Sequence, residues 1–125
     1  MKEYTGDKIR NVAIVDHGGA GTTSLTEALL YRSGAISRMC KVEDGQTTTD
    51  FEPEEIKRGV SVSATLAPVE WRDVKINFID TPGFADFVAE VKGAFRAVDS
   101  VLIVVSATSG VQIGTEQCWK LAEEA

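Results

Sequence analysis

The amino-acid sequence predicts an α/β protein, a three-layer α/β/α arrangement of about four strands and three helices around a mixed, mostly parallel sheet. Three observations carry this expectation. The runs "VAIV" and "VLIVV" are continuously apolar, as strands covered on both faces are. Segments of helical period alternate with them. Turn-rich stretches follow two of the strands, at the carboxyl ends where ligands of open α/β sheets bind.

The elements follow in order. Residues 9–16, "IRNVAIVD", form a short apolar run entering a glycine-rich turn and read as the first strand. A helix fits residues 22–33, where Leu25 and Leu29 share a face and Gly34 is placed to stop it. The 18 residues "AISRMCKVEDGQTTTDFE" have no clear period, and a loop that long in a compact domain is more often functional or mobile than decorative. "PEEIKRG", between Pro53 and Gly59, reads as one or two helical turns with proline at the first position.

Beyond Gly59 the period becomes two, with Val60, Val62, Ala64 and Leu66 alternating with Ser61, Ser63 and Thr65, and Pro68 implies an edge strand or the frayed end of one. "WRDV" reads as a hairpin connection into a strand over residues 74–80. Phe87, Val91 and Phe95, with Val88 beside them, describe an amphipathic helix. "SVLIVVSA", residues 100–107, reads as a second fully buried strand. Cys118, Leu121, Ala122 and Ala125 place one face on a last helix, with Cys118 and Trp119 expected to pack.

Bulk properties narrow the function. A chain of 125 residues suffices for one small domain, and 43% hydrophobic with 26% charged residues is ordinary for a globular protein. No apolar run approaches membrane-spanning length, and "MKEYTGDKIRN" has no secretory signal character, so no membrane partner and a cytoplasmic setting are expected. Cys40 and Cys118 lie far apart and the chain has a single histidine, which argues against structural zinc. The net charge of −6 argues against non-specific grip on DNA while leaving room for a local ribonucleoprotein contact.

Two motifs carry chemistry. "VAIVDHGGAGTTSL", residues 12–25, approaches the phosphate-loop form GxxxxGK[ST]. Gly18, Gly19 and Gly21 would turn backbone N–H groups toward phosphates at a helix amino terminus, and Thr23 takes the hydroxyl position that holds magnesium. Two positions break the pattern: Thr22 replaces the lysine, and Asp16 stands where glycine or alanine is expected. A charge-assisted contact contributes about 1.5–3 kcal/mol, so losing the lysine weakens binding about ten- to hundredfold. An Asp16 carboxylate facing the phosphates would add repulsion of up to about 4 kcal/mol at about 4 Å in an effective dielectric near 20. A plain strand-to-helix turn is the bland alternative. The second motif is "DTPG", residues 80–83: Asp80 can reach a magnesium held by Thr23, and the Gly83 N–H can meet a terminal phosphate. On its own it could be only a turn.

From about residue 9 to residue 125 the chain resembles the amino-terminal part of the GTP-binding domain of translational GTPases, of the elongation factor G-like class. The resemblance rests on "DHGGAGTTSLTEALLYRSGAI", "TTTDFEPEEIKRGVSVSA", "INFIDTPGFADFVAEV" and "VVSATSGVQIGTEQCW", in that order. It implies a P-loop NTPase-type fold and use of GTP or GDP with Mg2+ at the ribosome. Residues 16–23 would form the phosphate loop, about 36–63 the first switch and about 80–90 the second. The nucleotide would meet Asp16, His17, Gly18, Gly19, Ala20, Gly21, Thr22, Thr23 and Ser24, then Asp80, Thr81, Pro82 and Gly83; Thr23, Ser61 and Asp80 would hold the metal.

Further departures accompany the resemblance. The family's second switch reads DTPGH, with a histidine that positions water; here Phe84 cannot exchange a proton, so no catalytic residue is assigned. The guanine-reading NKxD motif does not occur, leaving guanine against adenine open, and the expectation is a truncated form with weak nucleotide binding and poor hydrolysis. "VLIVV" would then be an exposed edge strand and a hazard for self-association. The competing reading is a non-enzymatic remnant or protein-interaction module that binds no nucleotide; a P-loop ATPase is a remoter one. His17 reads as a loop residue rather than a catalyst, and Arg58, Glu52, Glu54 and Glu55 as solvated charges.

Overall fold

The computed structural model describes residues 2–37, 64–83 and 88–125. Four strands, β1 (Ile9–Val15), β2 (Thr65–Trp71), β3 (Val74–Asp80) and β4 (Ser100–Ile103), form one sheet in the order β2-β3-β1-β4. Three helices accompany it: α1 (Thr22–Arg32), α2 (Val88–Phe95) and α3 (Ile113–Glu124), after a 3-10 turn at Gly6–Lys8. β1 pairs in parallel with β3 and β4, while β2 runs antiparallel to β3. The mixed, mostly parallel sheet expected from the sequence is therefore present.

Alternation along β1 divides the core into two layers. Ala13 and Val15 join Val91, Ala94, Phe95 and Cys118 on the side of α2 and α3. Ile14 joins Leu30, Ala67, Val69 and Phe78 on the side of α1, with Leu25 and Leu29 packed against them. Ala13, Ile14 and Val15 are all fully buried, as a strand covered on both faces must be. α1 ends one residue earlier than the pattern predicts, with Gly34 just beyond its end donating to the Tyr31 carbonyl.

The hairpin is tight. Trp71 pairs with Val74 across a two-residue loop, Arg72 and Asp73, both with positive φ (49° and 66°). That is the primed-turn geometry whose twist matches the flanking strands. Pro68 lies in β2 at the sheet edge, where a missing N–H costs least.

Several expectations are corrected. β4 covers only Ser100–Ile103, and among the described strands it pairs only with β1, so of the two expectations for "VLIVV" the exposed edge holds and the fully buried strand does not; Leu102 and Val105 are more than 40% exposed. Trp119 is 62% exposed although Cys118 beside it is fully buried, because successive helical residues point about 100° apart. Val88 and Ala125 are likewise exposed, at the ends of their helices. β2 begins at Thr65. Residues 60–63, the "PEEIKRG" turn, Arg58, Glu52, Glu54, Glu55, Cys40 and Phe87 lie outside the described residues. Among the described residues no helix is long and apolar enough to cross a membrane.

Ile14→Ala is expected to destabilise the chain by about 2–5 kcal/mol, whereas Trp119→Ala should stay within about 0.5 kcal/mol. Urea unfolding followed by circular dichroism compares the two; equal losses would mean that the packing is misassigned.

Candidate functional site

β1 and β3 end side by side, with Ile14 opposite Asp80 in the parallel register. The chain leaves β1 through residues 16–21 into α1, and leaves β3 through residues 81–83 toward α2. α1, which follows β1, packs on one face of the sheet and α2, which follows β3, on the other, and β3 and β4 flank β1, so the strand order reverses at β1. In open α/β sheets ligands bind at such a reversal, outside the carboxyl ends of the strands.

Three glycines shape the loop after β1. Gly18, Gly19 and Gly21 have φ of 142°, 75° and 103°, a succession closed to residues with a Cβ. Gly21 is the N-cap of α1 without a capping side chain, so the loop delivers backbone N–H groups at a helix amino terminus. Thr22 and Thr23 begin α1 and are buried, while Ser24 is exposed. The Thr23 hydroxyl donates to Asp80 Oδ2 at 3.2 Å, joining the two motifs as the sequence anticipates. Two hard oxygen donors on rigid elements are a fitting partial set for magnesium, which takes few protein ligands and keeps water and phosphate in its remaining positions. Ser61, the third expected ligand, and Phe84 lie outside the described residues, as do most of the expected first switch and residues 84–87 of the second.

The turn after β3 is fastened to β1. Thr81 is fully buried, and both its N–H (3.1 Å) and its hydroxyl (2.8 Å) donate to the Ile14 carbonyl. Pro82 is buried beside it. Gly83 passes so close to the first loop that a Cβ there would lie 2.8 Å from Gly18 Cα and 3.1 Å from the His17 carbonyl oxygen. The two loops therefore form one surface.

Two residues have roles that the motif pattern does not reveal. His17 Nδ1 accepts a hydrogen bond from the Gly114 N–H at 2.9 Å, which ties the loop to the start of α3. Asp16 is 2% exposed, and its Oδ2 accepts from the Ala20 N–H at 2.9 Å. Burial pushes the Asp16 carboxyl above the ordinary aspartate value, against the opposing pull of the Ala20 N–H and of His17. The Cys118 thiol lies 3.8 Å from the Asp16 carbonyl oxygen; burial, with the Asp16 charge, raises it to about 11, so it stays protonated at neutral pH. A lone histidine gives no pattern to search for, and Asp16 is visible in the sequence only as a departure from one. A separate cavity of about 370 Å³, lined by Phe95, Val98, Val101, Trp119 and Ala122, opens at the other end of β4.

Comparison with known proteins agrees with this geometry. The elongation factor Tu GTP binding domain family matches residues 7–125. Elongation factor G 2 of Borreliella burgdorferi is 42% identical over 116 residues, covering 93% of this chain and 17% of that protein. The mitochondrial ribosome-releasing factor 2 of Scheffersomyces stipitis is 39% identical over 122 residues, covering 98% and 14% respectively. A crystal structure of a Thermus thermophilus protein superposes with a TM-score of 0.91 at 48% identity, over 95% of this chain and 18% of that one. A bacterial selenocysteine-specific elongation factor, 24% identical with a TM-score of 0.73 over 93% of this chain and 18% of its own, shares the fold. The chain thus spans less than a fifth of the length of the relatives it matches.

Gly83→Ala is expected to destabilise the chain by about 1–3 kcal/mol, since the added methyl meets backbone that must shift. Gly93→Ala, in α2 with open space around it, should instead be stabilising by about 0.5–1 kcal/mol. Chemical denaturation of both variants checks the pair, and a neutral Gly83→Ala would refute the close contact between the loops.

Proposed function

The chain belongs to the elongation factor Tu GTP binding domain family, and from that premise we propose that it serves as the front part of an elongation factor G-like GTP-binding domain. Residues 16–23 form the phosphate loop, and residues 80–83 open the second switch. The observation that carries this reading is the Thr23–Asp80 contact at 3.2 Å, beside a loop turned by three positive-φ glycines. The ligand is GTP or GDP with Mg2+. Backbone N–H groups of residues 18–23 bind phosphate oxygens, Thr23 and Asp80 hold the metal, and Gly83 N–H faces the terminal phosphate. By the family resemblance Ser61, in the first switch of about residues 36–63, would complete the metal set.

Binding is weak on this reading, because Thr22 offers a short neutral hydroxyl where the family pattern places a lysine. Phe84 removes the proton-exchanging group that orients the attacking water, so hydrolysis is slow. The partner on this reading is the ribosome, which the name of the ribosome-releasing factor 2 relative prints, and the setting is the cytoplasmic one expected from the sequence. The exposed outer edge of β4 is the surface through which copies of the chain would associate. The competing reading, an interaction module that uses no nucleotide, draws its support from Thr22 and from the buried Asp16 carboxylate within the loop.

Titration with a fluorescent GTP analogue, with and without magnesium, tests the proposal. The parent chain should show weak, magnesium-dependent saturation, and Thr22→Lys should bind about ten- to hundredfold more tightly. Tight binding with brisk turnover by the parent would contradict the weakened site. No binding by a chain carrying both Thr22→Lys and Asp16→Gly would favour the module.

A further inference from the structure

We propose that the Asp16 carboxylate is a built-in occupant of the phosphate loop, holding the Ala20 N–H that a phosphate oxygen must accept from, so that nucleotide binds only by displacing it. This inference rests on the nucleotide reading of the loop and concerns what limits it.

The geometry points to occupancy rather than to distant repulsion. The side chain of Asp16 reaches four residues along the chain to accept from Ala20, so the loop bends around its carboxylate. That residue is 2% exposed, which places the carboxylate inside the loop rather than on its rim. The Ala20 N–H is the one hydrogen bond that it receives among the described residues. The backbone on either side is fixed: the Val104 N–H donates to the Val15 carbonyl at 2.8 Å, and the Cys118 thiol lies against the Asp16 carbonyl. His17, next in the chain, has Nδ1 engaged by Gly114. An incoming phosphate must therefore move the Asp16 side chain, because the backbone carrying it is held by β4 and α3.

Occupancy and simple charge repulsion predict different mutational orders. Asp16→Asn removes the charge but keeps an oxygen of the same reach that can accept from Ala20. Asp16→Ala removes both. An occupied loop predicts affinity rising from parent to Asn to Ala, whereas repulsion alone predicts that Asn and Ala are equal. If Asp16 served only to brace the loop, Ala would bind more weakly than the parent.

The test is made in the Thr22→Lys background, so that a weak site does not hide the effect. Thr22→Lys, Thr22→Lys/Asp16→Asn and Thr22→Lys/Asp16→Ala are titrated with the fluorescent GTP analogue and magnesium, with circular dichroism as the check on folding. The expected result is a gain of about tenfold or more for the Ala variant, the size of one hydrogen bond to a charged group, with Asn between. Binding by Thr22→Lys that neither Asp16 change improves overturns this inference and leaves the nucleotide reading standing. Equal gains for Asn and Ala overturn occupancy in favour of charge. Absence of binding in all three chains overturns the nucleotide reading and this inference with it. Should the Ala variant fail to fold, Asp16→Gly, equally without charge or acceptor, takes its place: a gain above that of Asn supports the inference, and a gain equal to it or none overturns it.

Discussion

The Ile14 carbonyl is the point on which the site depends. It accepts both the N–H and the hydroxyl of Thr81, at 3.1 and 2.8 Å, in the buried interior just beyond the end of β3. A buried carbonyl with two donors is costly to free, because each lost bond leaves a polar group away from water at about 1–3 kcal/mol. The paired hydrogen bonds fix the relative height of two strand ends. With β1 and β3 in that register, Asp80 stands beside Thr23, and Gly83 lies against Gly18 with no room for a Cβ. A slip of one residue would turn every side chain of β3 to the other face and separate the pairs.

Packing holds this arrangement from both sides. α1 lies over Ile14 and Phe78 on one face, and α2 and α3 cover Ala13 and Val15 on the other. Contact between α3 and the loop is direct, through Gly114 and His17, with a glycine at a place where a Cβ would fall 2.5 Å from His17 Nδ1. The loop is thus braced at its start by β4 and α3 and at its end by α1. Electrostatics pull against the same scaffold. Asp16 and Asp80 place two buried carboxyl groups at a site proposed for phosphate, and Thr22 supplies no balancing cation. On the proposed reading, magnesium must carry the neutralisation that the family pattern assigns to a lysine.

Much of this is legible in the sequence, for identifiable reasons. Strands and helices with strong periods, such as β1, β3 and α1, fall within a residue or two of their expected bounds because burial on fixed faces dictates the pattern. The meeting of the two motifs is legible because both follow strands of one parallel sheet, and such strands end together. The apolar run of β4 by itself reads as a fully buried strand, because such a run looks the same in a central strand and at an edge; the edge is legible only from the strands available to pair with it. Trp119 reads as a packing residue because its bulk suits a core, whereas its angular position one residue from Cys118 turns it outward. The bonds of Asp16 to Ala20 and of His17 to Gly114 are not legible at all, since loop side chains have no period and their partners are set by tertiary approach.

If the fastened ends of β1 and β3 form a phosphate cradle ready for a magnesium-bound nucleotide, ligand must protect the backbone of both loops together. Amide hydrogen exchange of the chain, with and without magnesium and a non-hydrolysable GTP analogue, reads that protection residue by residue. Slower exchange is expected at residues 18–23 and at Gly83, with the cavity end of β4 and α3 unchanged. Protection confined to that cavity, or protection nowhere at saturating ligand, would contradict the cradle.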